Sequence, residues 1–151
     1  SFGGDGGRVG CGTDELQAFC EAVRAAGGKA VPLPVGGGFH SPFMDEAAKA
    51  LSDELGDFTL EPPSVPVYAN ATSLPYAGDM KTLIARQVNS PVLWRRTIER
   101  MADEGFDTFV ETGPGKTLCG LIKKTAPGAA VYNVEDGASL DAALAALGKG
   151  E

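Results

Sequence analysis

Helical and extended sequence patterns alternate along this chain, and this alternation limits its possible folds more than any other feature. Helix-type segments, with apolar residues three and four positions apart, begin at Thr13, Ser41, Asp79, Ser90, Thr117 and Ser139. Strand-type segments, short and bounded by glycine or proline, cover residues 30–35, 65–70, 106–111 and 131–134. Strands that alternate with helices predict an α/β layer structure with mostly parallel pairing.

Length and composition narrow the classes of function. The 151 residues are enough for a domain with a real core, and the net charge of -7 argues against binding to nucleic acid or to an anionic membrane. No apolar run approaches the ~20 residues that a membrane span requires. The 3 cysteines lack the pairing of a disulfide framework or a metal site, which predicts free thiols in the reducing cytoplasm and no metal.

His40 is the only histidine, and it follows the glycines Gly36–Gly38 on a predicted strand-to-helix loop. Ser41 and Pro42 are a typical helix start, and the helix after them is predicted to bury Phe43, Ala47, Leu51 and Leu55. A helix N-terminus disfavours a positive charge beside it, and a neutral imidazole is what a general base requires. These local features leave two interpretations open: a general base, or a surface histidine on a capped loop.

Two further helical segments carry polar residues that are candidates for orienting His40 or for binding a partner. Gln87 and Asn89 end one predicted helix; their ordinary role is capping, but a carbonyl or amide there could hold the imidazole in one tautomer if this junction faces His40. On the next helix, three arginines alternate with carboxylates, which favours a solvated face of ion pairs over a docking patch for an acidic partner. These arginines are Arg95, Arg96 and Arg100.

The segment from Glu111 to Thr117 ends in Gly-Lys-Thr and superficially resembles a phosphate-binding loop. That loop requires a glycine five residues before Gly115, where this chain has Val110, so a tight strand-to-helix connection is favoured over nucleotide binding. The chain also contains no G-x-S-x-G nucleophile elbow. The residues alone therefore offer a candidate base without a convincing nucleophile.

Four segments in a consistent order and spacing carry a resemblance to a known family. The chain resembles the malonyl-CoA:acyl carrier protein transacylases of fatty-acid synthesis and the related acyltransferase domains of polyketide synthases. The four segments are residues 33–44, 65–70, 86–94 and 111–118.

The resemblance implies part of an α/β-hydrolase-like core, residues 36–151, preceded by the remnant of a small ferredoxin-like subdomain, residues 1–35. It implies a ping-pong transfer of malonyl from coenzyme A, through a serine, to the phosphopantetheine thiol of acyl carrier protein. His40 matches the catalytic histidine, Gln87 the residue whose backbone carbonyl orients it, and Phe39 a bulky position that limits the acyl group. The implied setting is cytoplasmic, with malonyl-CoA as substrate and no cofactor.

The chain departs from the family pattern at two places. The family's nucleophilic serine, its carboxylate-binding arginine and its oxyanion-hole glutamine fall upstream of residue 1, so an upstream half of the same protein is an expected partner. Residues 1–7 replace a polar stretch of the family, and Gly38 replaces its usual alanine. Two alternatives stay open: an acyltransferase domain of a polyketide synthase, or a non-catalytic module that binds carrier protein.

Overall fold

The computed structural model describes residues 10–148, which form six helices, one short 3-10 turn and four strands. The expectations for residues 1–7 lie outside the described residues. Within 10–148 the structure has no helix long and apolar enough to cross a membrane. The helices are α1 Leu16–Ala25, α2 Asp45–Leu55, α3 Met80–Asn89, α4 Trp94–Asp103, α5 Thr117–Thr125 and α6 Gly137–Leu147. The strands are β1 Tyr68–Ala69, β2 Leu74–Pro75, β3 Thr108–Thr112 and β4 Ala130–Val134, and the 3-10 turn is Pro42–Met44.

The described residues divide into two compact units that meet in sequence between Val92 and Leu93. In the later unit, β3 pairs in parallel with β4, from Thr108 opposite Ala130 to Thr112 opposite Val134. Helix α5 makes the crossover between these strands, as parallel pairing requires. The predicted α/β arrangement with a parallel pair is confirmed here, whereas β1 and β2 of the earlier unit pair antiparallel.

The core of the later unit lies between α4 and α5. Ile98 and Ile122 are 2% and 4% exposed, and they form one apolar cluster with the buried Ala126. Partly buried apolar side chains complete this cluster: Trp94, Met101, Phe109, Ala129 and Val131. Trp94, Ile98 and Met101, which are three and four residues apart, therefore form the inward face of α4.

In the earlier unit, α2 and α3 run antiparallel and are hydrogen-bonded to each other at both ends. At one end the Lys81 ammonium donates to the carbonyl oxygen of Gly56 at 3.0 Å. At the other, Nδ2 of Asn89 donates to a carboxylate oxygen of Asp45 at 2.8 Å. The two bonds set the start of α2 beside the end of α3, which is the geometry that the histidine loop depends on.

One predicted strand is absent, and another is shorter than predicted. Residues 30–35 form no strand; Val31, Leu33 and Val35 are exposed, and the intervening prolines have no N–H to donate to a ladder. Within the predicted strand 65–70, only Tyr68–Ala69 pairs.

Three helix starts and one helix face also differ from the prediction. Helix α1 begins at Leu16 without a capping bond from Thr13, and α4 begins at Trp94 rather than at Ser90. Helix α6 begins at Gly137 rather than at Ser139. The buried residue of α2 is Ala48, while Ala47 is exposed and Phe43 is 65% exposed. Phe43 lies in the 3-10 turn, whose tighter winding puts it out of phase with the half-buried Leu51 and Leu55.

The first turn of α5 is capped from a distance by the carboxylate of Glu111. Its two oxygens accept from the backbone N–H groups of Leu118 at 3.0 Å and Cys119 at 2.7 Å, which have no partner within the helix. Burial opposes ionisation and is the largest single influence, but the hydrogen bonds from Cys119 and Leu118 together outweigh it and lower the pKa of Glu111. The ionised carboxylate thus joins β3 to α5.

We predict that replacing Glu111 changes how stability depends on pH. A lowered pKa means that the ionised group stabilises the fold above the ordinary glutamate value, ~4.3, and that this stabilisation is lost as the pH falls through the folded-state value. Glu111→Gln should therefore be less stable than the wild type at about pH 7, and the difference should shrink below about pH 4. Urea denaturation across this range measures it, with Asp141→Asn on the exposed face of α6 as the control. A difference that stays constant down to about pH 3 would contradict the role given to the carboxylate.

Candidate functional site

His40 has a backbone conformation that is rare for a residue with a side chain. Its φ is 60°, in the left-handed region. This conformation costs on the order of 1–3 kcal/mol, which contacts with the surrounding structure must offset. The His40 N–H donates to the carbonyl oxygen of Val88 at 3.2 Å. The loop is thus attached to the end of α3 at the residue whose conformation is strained.

The imidazole ring is attached to the same helix end. Nδ1 of His40 lies 3.0 Å from the carbonyl oxygen of Gln87, 47 residues away in sequence. A carbonyl oxygen only accepts hydrogen bonds, so this contact requires the proton to be on Nδ1 in the neutral ring. The lone pair is then on Nε2, the atom that a general base uses.

The end of α3 supplies both acceptors for a physical reason. The last four carbonyls of an α-helix have no partner inside the helix, and those of Gln87 and Val88 belong to this group in α3. These carbonyls also form the negative end of the helix dipole, which favours positive charge beside it. The helix end thus gives Nδ1 of His40 a fixed acceptor and fixes the orientation of the ring. A buried aspartate supplies an acceptor of this kind to the histidine of a Ser-His-Asp triad.

The side chain of Gln87 holds a different part of the unit. Its Oε1 accepts from the backbone N–H of Asn70 at 2.7 Å, and its Nε2 donates to the hydroxyl of Tyr76. Gln87 thus joins the β1–β2 hairpin to α3 while its backbone carbonyl faces His40. The family resemblance implies a role for the Gln87 backbone carbonyl but none for its side chain. The available signal for the side-chain role was a polar residue at each of positions 70 and 87, both within segments that carry the resemblance.

The loop before α2 contains Ser41 and two phenylalanines, Phe39 and Phe43, within three residues of His40 in sequence. Ser41 caps the 3-10 turn as predicted, accepting from the N–H of Phe43 at 3.4 Å. Phe39 and Phe43 are 59% and 65% exposed. The selection of the acyl group by Phe39 stays a prediction.

The Gly-Lys-Thr segment has its donors occupied by carboxylates of the protein. The N–H of Gly115 donates to Glu135 at 3.0 Å, and the Lys116 ammonium lies 3.7 Å from the same carboxylate. Since Glu111 already accepts from the first turn of α5, the groups that would bind phosphate face acidic side chains. This arrangement supports the expectation that the segment is a structural connection.

The arginines of α4 pair with carboxylates on the same helix. Arg95 contacts Glu99 at 2.6 Å and Arg100 contacts Glu104 at 3.6 Å, as the four-residue spacing predicts. Pairs that alternate in sign leave no strongly basic patch on this face. A solvated face is therefore the better interpretation.

Cys119, the buried thiol of α5, is a poor nucleophile. Burial raises the pKa of the Cys119 thiol, and the hydrogen bond and negative charge of Glu111 raise it further. Its Sγ donates to the carbonyl oxygen of Tyr132 at 3.3 Å. Because the thiolate is the reactive form, this environment suppresses its reactivity.

Comparison with known proteins identifies relatives that match most of this chain. The family model for the Acyl transferase domain matches residues 7–141. The malonyl CoA-acyl carrier protein transacylase of Bacillus subtilis is 35% identical over 135 residues, which are 87% of this chain and 43% of that protein.

Solved structures give the same result. The crystal structure of malonyl CoA-acyl carrier protein transacylase from Clostridium perfringens matches with a TM-score of 0.83 and 37% identity, over 89% of this chain and 43% of that one. A malonyl-transacylase in complex with a type II PKS acyl-carrier protein matches with a TM-score of 0.83 and 30% identity, over 89% of this chain and 44% of that one. The chain therefore spans less than half the length of the proteins to which it is similar.

We predict that Gln87→Ala loosens the hairpin selectively. The substitution removes the acceptor of the Asn70 N–H but keeps the backbone carbonyl that faces His40. Loss of a hydrogen bond worth about 1 kcal/mol should make the Asn70 amide exchange with solvent roughly fivefold faster, as measured by hydrogen exchange. Gln17→Ala, which removes an exposed contact with Glu21 on α1, is the control and should leave this amide unchanged. Equal exchange in the wild type and Gln87→Ala would refute the role of the side chain.

Proposed function

The chain belongs to the acyl transferase domain family, and on that premise we propose that it takes part in moving a malonyl group from malonyl-CoA to the phosphopantetheine thiol of acyl carrier protein. The observation that carries the proposal is the contact between Nδ1 of His40 and the Gln87 carbonyl, because it makes Nε2 the basic atom. The names of the similar proteins support the choice of malonyl and of a carrier protein.

In the first half-reaction, Nε2 of His40 accepts the proton of a serine hydroxyl as the serine oxygen attacks the thioester carbonyl of malonyl-CoA. The carbon–sulfur bond then breaks, and the coenzyme A thiolate leaves with the proton that Nε2 returns to it. The products are a malonyl ester of the serine and free coenzyme A. The imidazolium that forms in between faces the carbonyls at the end of α3.

The second half-reaction uses the same groups in reverse. Nε2 accepts the proton of the phosphopantetheine thiol, whose sulfur attacks the ester carbonyl. The carbon–oxygen bond breaks, and the serine oxygen takes back the proton from Nε2. Malonyl is now a thioester of the carrier protein, the enzyme is restored, and the chemistry requires no cofactor.

We propose that the nucleophilic serine is contributed by residues outside this sequence. Two observations support this proposal: the resemblance to the family implies a serine upstream, and within residues 10–148 the structure gives Nε2 of His40 no hydrogen-bond partner. The same resemblance supports our proposal that residues 36–151 belong to an α/β-hydrolase-like core and residues 1–35 to a ferredoxin-like subdomain. We also propose that the reaction takes place in the cytoplasm, a compartment in which free thiols such as that of Cys20 stay reduced.

A polyketide carrier protein is a second candidate acceptor. The structure of a malonyl-transacylase in complex with a type II PKS acyl-carrier protein, to which this chain is similar, supports it. The chemistry at His40 is the same for both acceptors. Phe39 is proposed to restrict the acyl group in either case, because a bulky side chain before the base limits the room at the α-carbon of the substrate.

We predict that His40→Asn removes most of the transferase activity. The asparagine amide can still donate toward the Gln87 carbonyl but has no basic nitrogen, so the transfer rate should fall by ~10²- to 10⁴-fold. The assay uses the chain joined to the upstream segment of a family member that carries the serine, and mass spectrometry follows malonyl transfer to carrier protein.

Lys49→Ala is the matched control, since Lys49 forms its ion pair with Asp53 on the exposed side of α2. It should keep the wild-type rate in the same joined protein. A His40→Asn protein as active as the Lys49→Ala protein would show that His40 is not the base. Comparing fatty-acid and polyketide carrier proteins in this assay distinguishes the two acceptors.

A further inference from the structure

We propose that Ser41 is a positioning residue for His40: its hydroxyl closes the loop from Gly38 to Phe43 and thereby keeps the imidazole on the end of α3. The effect of this positioning on catalysis rests on the proposed function. Its physical claim, that Ser41 determines which ring nitrogen of His40 carries the proton, can be tested without any reaction.

The first observation is the pair of hydrogen bonds made by one hydroxyl. Oγ of Ser41 donates to the carbonyl oxygen of Gly38 at 2.5 Å and accepts from the N–H of Phe43 at 3.4 Å. The first bond joins Ser41 to a residue before His40, and the second joins it to a residue after His40. The half-buried Ser41 therefore closes the backbone on both sides of the histidine.

The second observation is the close packing at Gly38, which lets this bond form. A Cβ at Gly38 would lie 3.1 Å from Oγ of Ser41 and 2.8 Å from Cδ2 of Phe43. Both distances are shorter than ordinary carbon contacts. The loop thus packs tightly around Gly38, which has no side chain. The Ser41 hydroxyl is the polar group that stabilises this loop conformation.

The third observation is the conformation that the loop imposes. His40 has a φ of 60°, and a residue with a side chain holds this value only when its surroundings require it. The N–H of His40 contacts the Val88 carbonyl at 3.2 Å, and Nδ1 contacts the Gln87 carbonyl at 3.0 Å. The left-handed turn and both contacts occur together at His40, so we expect a loop that relaxes toward ordinary φ to withdraw the ring from the helix end.

A withdrawn ring has a chemical consequence. Without a fixed acceptor at Nδ1, a neutral imidazole exchanges between its two tautomers. The tautomer with the proton on Nε2 has no lone pair on the atom proposed to act as base. Removal of the Ser41 hydroxyl should therefore lower the fraction of His40 that can accept a proton, without altering any group that contacts substrate.

The test uses the fact that the chain has 1 histidine. Selective ¹⁵N labelling of histidine gives ring signals from His40 alone, and at alkaline pH the two nitrogen shifts report where the proton lies. We expect Nδ1–H in the wild type, a mixture of both tautomers in Ser41→Ala, and a return to Nδ1–H in Ser41→Thr, which keeps the hydroxyl. Ser52→Ala, an exposed position on α2, is the control and should match the wild type.

The outcomes distinguish positioning from a purely structural cap. If Ser41→Ala keeps the wild-type tautomer and only loses stability, Ser41 is an ordinary cap and the proposal is wrong. If Ser41→Ala does not fold, Ser41→Thr and Ser41→Cys are compared; equal tautomer fractions in these two would overturn the proposal, because a thiol is a much weaker donor.

An activity measurement separates this proposal from the proposed function. In the joined protein described above, Ser41→Ala should lower kcat by ~10-fold with KM changed by less than ~2-fold. A tautomer shift with no loss of kcat would remove His40 from catalysis and leave its positioning by Ser41 intact. An unchanged tautomer and unchanged kcat would overturn the positioning alone.

Discussion

The hydrogen bond between Nδ1 of His40 and the Gln87 carbonyl is the interaction on which the candidate site depends. A helix end has carbonyls without partners, and this one uses two of them to hold a histidine from a distant loop. The other polar contacts of the unit support the same arrangement. The Asn89–Asp45 and Lys81–Gly56 bonds align α2 with α3, and the side chain of Gln87 attaches the β1–β2 hairpin.

Several polar groups of the chain are already hydrogen-bonded within the fold, whereas Nε2 of His40 is available for chemistry. Glu111 and Glu135 accept from the donors around Gly115 and the start of α5, so that strand-to-helix connection is internally satisfied. Cys119 is held in its unreactive protonated form. His40 differs from these groups because one ring nitrogen is fixed while the other lacks a partner within residues 10–148. A general base requires this combination.

The sequence predicts the elements with strong local signals and fails where geometry depends on distant partners. Helix α5 follows from the spacing of its apolar residues, and its predicted start at Thr117 is confirmed. Residues 30–35 have a strand-like pattern, but a strand also needs a neighbour, and the prolines remove donors. The φ of His40 and the side-chain role of Gln87 arise from contacts between segments far apart in sequence, which periodicity does not contain.

The most direct test of the account is to observe the hydrogen bond of the histidine in the wild-type chain. With ¹⁵N on the ring and ¹³C on the backbone carbonyls, NMR detects both the nitrogen that carries the proton and a coupling across the hydrogen bond. We predict a proton on Nδ1 of His40, coupled to the carbonyl carbon of Gln87. A proton on Nε2, with no coupling from the ring to Gln87, would contradict the claim that the end of α3 makes His40 a base.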